Sequence, residues 1–120
     1  MIRIFTSKTQ VLGEKGEEAA VSYLKKQGFS IIQRNCANKF GEIDIVAKKK
    51  GIMYFFEVKA GYTNSWINPS ENLTRVKLQK FFKSIDYYCF THNTKDYKAQ
   101  GVIVLFDING GVVVESIDLF

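Results

Sequence analysis

Apolar positions recur at helical spacing from Leu12 through Ala19, Ala20, Tyr23 and Leu24. This period predicts a helix over residues 9–27, with Lys25 and Lys26 in its last turn and Gly28 as its stop. The pattern then breaks into short runs. Residues 29–34 suit a strand, and the polar stretch from Asn35 to Gly41 reads as a turn. Residues 42–47 alternate, which predicts a strand with Ile43 and Ile45 on one face and Glu42 and Asp44 on the other. Lys48, Lys49, Lys50 and Gly51 make a basic hairpin turn into a third strand over 52–59. Within it Tyr54, Phe56 and Val58 point one way, and Phe55, Glu57 and Lys59 the other.

Residues 60–73 are polar, include Trp66 and the only proline, Pro69, and predict a long loop. Thr74 is suited to cap a helix running to about Phe90. Val76, Phe81, Phe82, Ile85, Tyr88 and Cys89 supply its apolar stripe. Residues 101–108 read as a fully buried strand, Asn109-Gly110 as a two-residue hairpin turn, and 112–117 as a returning edge strand. The element order is α-β-β-β-α-β-β. With no internal repeat or linker, the 120 residues predict one α/β domain over 1–120.

Composition removes several classes. The chain is 46% hydrophobic and 24% charged, which excludes a disordered chain. Cys36 and Cys89 lack any zinc-like spacing and fit a reducing compartment. No apolar window reaches membrane-span length, and the first residues lack a signal peptide's apolar run, so the expected location is cytoplasmic with no membrane partner. The net charge of +5 favours a polyanionic partner. Residues 1–60 carry eleven Lys and Arg against six Asp and Glu, whereas 61–120 carry six of each. The basic excess therefore shares a half with the candidate chemistry.

That chemistry is centred on the third strand. Glu57 and Lys59 lie about 7 Å apart on one strand face. A hairpin brings Asp44 opposite them from the neighbouring strand. Hard divalent cations favour oxygen ligands, and Mg²⁺ takes one or two carboxylates plus water and phosphate oxygens. A lysine beside the metal can orient water or stabilise charge developing on phosphate. On spacing alone, surface ion pairs on a wet sheet face are the favoured explanation of the set. Glu17 changes the balance, because it lies near the inward stripe of the first helix, where an unpaired carboxylate is costly. A shared cation accounts for it, as does a structural ion pair with Lys59. Glu14 lies one turn earlier on a similar face. Gly13 and Gly16 inside this helix point to close approach or to a frayed start.

The motifs Gly13-x-x-Gly16-Glu17, Gly28-Phe29, Gly41-Glu42-Ile43-Asp44 and Phe56-Glu57-Val58-Lys59, with Ala20, Tyr23-Leu24 and Asn35 between them, resemble the YraN-type family of bacterial endonuclease-like proteins. The resemblance spans about residues 11–107. It implies a restriction-endonuclease-like fold with a mixed central sheet flanked by helices, close to Holliday-junction resolvases in the PD-(D/E)-x-K nuclease superfamily. It implies Asp44 and Glu57 as ligands of Mg²⁺ or Mn²⁺, Glu17 as a further metal contact, Lys59 as the catalytic lysine and Lys77 as a second-helix site residue. The chain departs from the family at Ala60-Gly61, where a small residue and an arginine are usual, and at Cys36-Ala37-Asn38, where basic residues are common.

The expectation is a metal-dependent nuclease acting on DNA, with branched or structured DNA as the implied substrate. By analogy with nucleases that cut both strands, a homodimer is one arrangement the resemblance implies. Arg75, Lys77, Lys80 and Lys83 offer phosphate contacts along the second helix, and Lys48 and Lys49 offer more at the hairpin. The same charges also suit a solvated helix face and a protected strand edge. Tyr62 and Trp66 could stack on bases or cover the core edge. Two further readings remain open: a nucleic-acid-binding module without hydrolysis, and a protein-interaction domain whose charged set is a salt-bridge network.

Overall fold

A computed structural model describes residues 8–63 and 74–119. The order is α1 (Lys8–Lys26), β1 (Ser30–Asn38), β2 (Gly41–Lys49), β3 (Ile52–Tyr62), α2 (Arg75–His92), β4 (Tyr97–Phe106) and β5 (Val112–Asp118). This is the α-β-β-β-α-β-β order that the patterning predicts. The strands form one five-stranded sheet in sequence order. Its pairs are antiparallel except for β3 and β4, which run parallel because α2 carries the chain back across the sheet. The sheet is therefore mixed.

The two helices cover opposite faces. Ala20, Val21 and Leu24 of α1 pack on Ile45, Ala47, Phe56, Val102 and Val104. Phe81, Ile85 and Tyr88 of α2 pack on Cys36, Ile43, Val46, Phe55 and Ala99. β3 sits between both layers, so Phe55 and Phe56 are each fully buried on opposite sides. Burying either ring contributes roughly 2–3 kcal/mol of transfer free energy.

Gly16 is where α1 comes closest to β3. A Cβ there would lie 2.5 Å from the Ala60 Cβ, inside any allowed contact. Gly16→Ala gains about 1 kcal/mol of helix propensity but forces the helix off the sheet. We expect a net loss of about 1–3 kcal/mol in urea unfolding, largely recovered by adding Ala60→Gly. If the single variant equals or exceeds wild type, the close approach is not what selects glycine here.

Several local expectations change. β1 runs on through Asn38, so the predicted turn over 35–41 shrinks to Lys39-Phe40, with the Asn38 side chain accepting from the Phe40 amide. β3 extends to Tyr62, taking three residues from the predicted loop, because β4 pairs with it along its whole length. Trp66 and Pro69 lie outside the described residues. β4 begins at Tyr97 rather than 101 and ends at Phe106. The connection to β5 covers residues 107–111, closed by the Phe106–Val112 pair, so Asn109-Gly110 is not a two-residue turn. Thr74 caps α2 as expected, its hydroxyl accepting from the Lys77 amide. Val76 leaves the apolar stripe and is 61% exposed; the buried positions are Phe81, Ser84, Ile85 and Tyr88.

The larger correction concerns Ile43 and Ile45. They do not share a face: Ile43 packs with the α2 layer and Ile45 with the α1 layer. The partner strand reverses at the same point. Arg34 pairs with Ile45, and Cys36 pairs with Ile43. Between them Asn35 has a φ of 52°, which Asn tolerates better than most residues. One left-handed residue rotates the strand, and the alternation restarts on the opposite face. Asp44 lies across from this reversal. Gly41, with a φ of 149°, completes the end of the hairpin, where a Cβ would press on the Ser84 hydroxyl of α2 at 3.0 Å.

Candidate functional site

The β2–β3 ladder ends at the Ile45–Phe56 pair. Past that pair the two strands fork, and the Asp44 side chain enters the gap. Its Oδ2 accepts a 2.8 Å hydrogen bond from the Val58 amide. A carboxylate thus replaces the carbonyl that a continued ladder would have offered. On β3, strict alternation sends Glu57 and Lys59 to the α2 face, beside Phe55. Lys59 Nζ lies 3.7 Å from Glu57 Oε1, an ion pair rather than a hydrogen bond at that distance.

The electrostatics follow first from burial and then from the neighbouring carboxylates. Burial pushes the Asp44 carboxyl up to about 6; Glu17 and Glu42 add to the rise, while the Val58 amide and Lys59 oppose it. Burial also pushes Glu57 up to about 7, reinforced by Asp44 and opposed by Lys59 and Lys77. Lys59 and Lys77 therefore do not offset the burial of the two carboxylates. A divalent cation would supply the missing charge, and two carboxylates are the protein share a Mg²⁺ site commonly uses.

Glu17 is close enough to act on Asp44, but its carboxylate is engaged elsewhere. Its Oε1 accepts from Arg34 Nε at 3.1 Å, and Arg34 Nη2 reaches Glu18 Oε1 at 2.8 Å. No three His, Cys, Asp or Glu side chains form a metal-holding group among the described residues. Asp44 and Glu57 are the carboxylates that act on one another at the fork. Arg34 escaped the sequence reading because regular alternation, carried back from Cys36, places it on the α2 face. The φ at Asn35 turns it towards α1 instead. A cleft of about 630 Å³ opens beside this ion-pair network, lined by Glu17, Glu18, Arg34, Asn35 and Phe106 among others. Asp44, Glu57 and Lys59 do not line it, so the cleft flanks the fork from the α1 side.

The remaining candidates divide by position. Lys77 is the α2 residue that acts on Glu57, with Arg75 at the helix start and Lys80 about one turn further on. Lys48 and Lys49 lie at the other end of β2, about 14 and 17 Å along the strand from Asp44. Lys49 Nζ rests 4.9 Å from the Phe29 ring centre, a packing role. Lys48 and Lys49 therefore do not join the fork. Glu14 is exposed on the rim of the flanking cleft. Cys36 and Cys89 are free thiols. His92 stacks on Tyr88 at 3.8 Å at the end of α2, remote from the fork in sequence and fold. No helix among the described residues is long and apolar enough to cross a membrane.

Comparison with known proteins agrees with the motif pattern. Residues 16–109 match the model of the uncharacterised protein family UPF0102. A UPF0102 protein of Campylobacter jejuni strain RM1221 is 49% identical over 97 residues, covering 80% of this chain and 85% of the relative. One from Fervidobacterium nodosum is 42% identical over 97 residues, covering 80% and 72%. One from Helicobacter pylori strain G27 is 42% identical over 87 residues, covering 72% and 74%. The matched span contains Glu17, the Asn35 reversal, the Asp44 fork and the Glu57–Lys59 pair, and the chain belongs to the uncharacterised protein family UPF0102.

Proposed function

We propose that this protein is a Mg²⁺- or Mn²⁺-dependent nuclease that hydrolyses phosphodiester bonds in DNA, with branched or structured DNA as its substrate class. The observation that carries the reading is the forked strand pair, in which Asp44 and Glu57 converge beside the Lys59 ammonium. Asp44 and Glu57 would hold the cation, which would supply Lewis acidity at a phosphate oxygen and acidify a bound water. The Val58 amide fixes one Asp44 oxygen and leaves the other for the ligand role. Lys59 has its Nζ at the rim of the pair, placed to orient water or to stabilise charge on the phosphate under attack. Lys77 adds positive potential over the same point. Glu17 acts on Asp44 only through space, with Arg34 holding it.

Incubation of supercoiled plasmid, flap and four-way-junction substrates with Mn²⁺ tests the reading. Wild type should cleave at least one of them, and Glu57→Ala should reduce that to background. Equal background cleavage by both would remove the nuclease assignment.

One observation favours a second reading. Arg34 takes Glu17 out of the ligand set, leaving two carboxylates where the resemblance implies three. A DNA-binding module without hydrolysis would tolerate that loss. It predicts salt-sensitive binding that survives Asp44→Ala and needs no metal.

A further inference from the structure

The β1–β2 hairpin tip rests on α2 and carries an aromatic ring left partly exposed. Asn38 donates from Nδ2 to the Ser84 carbonyl and accepts from the Phe40 amide, which sets the tip against the helix. Phe40 and Tyr87 meet edge to face at 5.7 Å. Lys39 Nζ lies over both rings, at 5.2 and 5.3 Å from their centres. Phe40 remains 41% exposed. An aromatic pair with a cation over it is held at the surface by three hairpin residues.

This pair continues into a helical stripe. Lys80, Lys83, Tyr87 and Phe90 follow at spacings of three and four, so they share one flank of α2. Phe90 is 85% exposed at the far end. Asp86, three residues after Lys83 and four before Phe90, borders the same flank and also acts on Cys89 and Tyr97. The stripe is basic and aromatic, with Asp86 as the one acid of α2 at its border. From Lys80 to Phe90 it covers about 15 Å, roughly four nucleotides at stacked spacing. Its near end lies about one turn from Lys77, which acts on Glu57.

We propose that the Lys39–Phe40 hairpin tip and the α2 stripe form a track for single-stranded nucleic acid leading to the fork. The inference rests on the nucleic-acid reading above and names the form of the substrate. Lysines at this spacing follow phosphates, and ring faces stack on bases. Duplex DNA keeps its base faces occupied, so a stacking platform selects an unpaired strand. That accounts for aromatic rings left at the surface where lysines alone would serve a duplex.

Fluorescence anisotropy with a labelled oligo-dT of about a dozen nucleotides, in EDTA, tests the track. Phe40→Ala and Phe90→Ala should each weaken binding about ten-fold, Phe40→Trp should restore it, and Lys39→Gln should lower its salt dependence. A duplex of equal length should bind more weakly and respond less than about two-fold to the ring variants. Thermal melts report whether each variant is folded. The track is overturned if wild type fails to bind oligo-dT, or if folded Phe40→Ala and Phe90→Ala bind it like wild type. It is overturned equally if duplex or a poly-glutamate peptide competes as strongly as oligo-dT. If binding is intact and cleavage absent, the nuclease reading falls alone; if cleavage is present and binding unselective, the track falls alone.

Discussion

Glu57→Gln is expected to make the metal-free protein more stable at about pH 8 while reducing cleavage about a thousand-fold. The two effects have one cause. Burial and Asp44 push the Glu57 carboxyl up to about 7 against an ordinary value of 4.5. At a pH above that range the folded protein holds a charge its surroundings disfavour. Glutamine keeps the shape and removes the charge, which should stabilise the fold by about 2–3 kcal/mol in EDTA. The same substitution removes one of the two carboxylate charges proposed for the cation and leaves a neutral amide oxygen in its place. Losing the charge stabilisation that the cation would bring to the transition state, about 4 kcal/mol, lowers the rate about a thousand-fold. Urea unfolding and plasmid cleavage measure the two halves separately. A variant less stable than wild type at pH 8 would show that Glu57 is held by its cations, as in a structural salt-bridge network, and not strained against them.

The second large effect is a pH dependence that a divalent cation reverses. Asp44 and Glu57 have ordinary values of 3.8 and 4.5 and are raised to about 6 and about 7 in the fold. Between these limits the folded state binds more protons than the unfolded chain, so stability falls as pH rises. The contribution is fully present below about pH 4 and lost as pH passes through about 7. Over that window the metal-free protein should lose on the order of a few kcal/mol from these two groups. Millimolar Mg²⁺ or Mn²⁺ binds the ionised pair, so it should raise the melting temperature at pH 8 and leave it unchanged at about pH 5. Melting curves at both pH values, with EDTA and with Mn²⁺, decide the matter. A cation effect that is as large at pH 5 would place the binding site elsewhere.

A competing role for Arg34 sharpens both expectations. It holds Glu17 and Glu18 together, so α1 and β1 are tied beside the fork without a cation. Its guanidinium is held above its ordinary value, chiefly by the bond to Glu18. Under the proposed function, two of the three carboxylates expected around a metal would answer to pH and cation, while Glu17 has Arg34 as its partner.

Much of this was legible in the chain. Alternation over residues 52–59 put Glu57 and Lys59 on one face, and β3 keeps that alternation through its uninterrupted pairing with β4. Thr74 announced the start of α2, and its hydroxyl caps the helix. The helical period of Ala20 and Leu24 identified the face of α1 that is buried. Each of these signals is local: a dihedral preference, a cap or a repeat of 2 or 3.6 residues acts within a few positions of where it is written.

Tertiary structure alone decided the rest. The fork depends on where the β2–β3 ladder stops, at the Ile45–Phe56 pair. The parallel pairing of β3 with β4 depends on a crossover through α2. Asn35 reverses the faces of β1 and β2, sending Ile43 to one layer and Ile45 to the other, and brings Arg34 to Glu17. The hairpin tip meets Tyr87 across 47 residues of chain. A pattern read along one strand carries no record of a left-handed residue inside it, because the polar residues of a turn and those of a strand reversal look alike. The sequence determined which side chains alternate and where helices begin. Packing between distant segments determined which of those side chains meet, and so placed Asp44 in a gap between strands instead of on an open face.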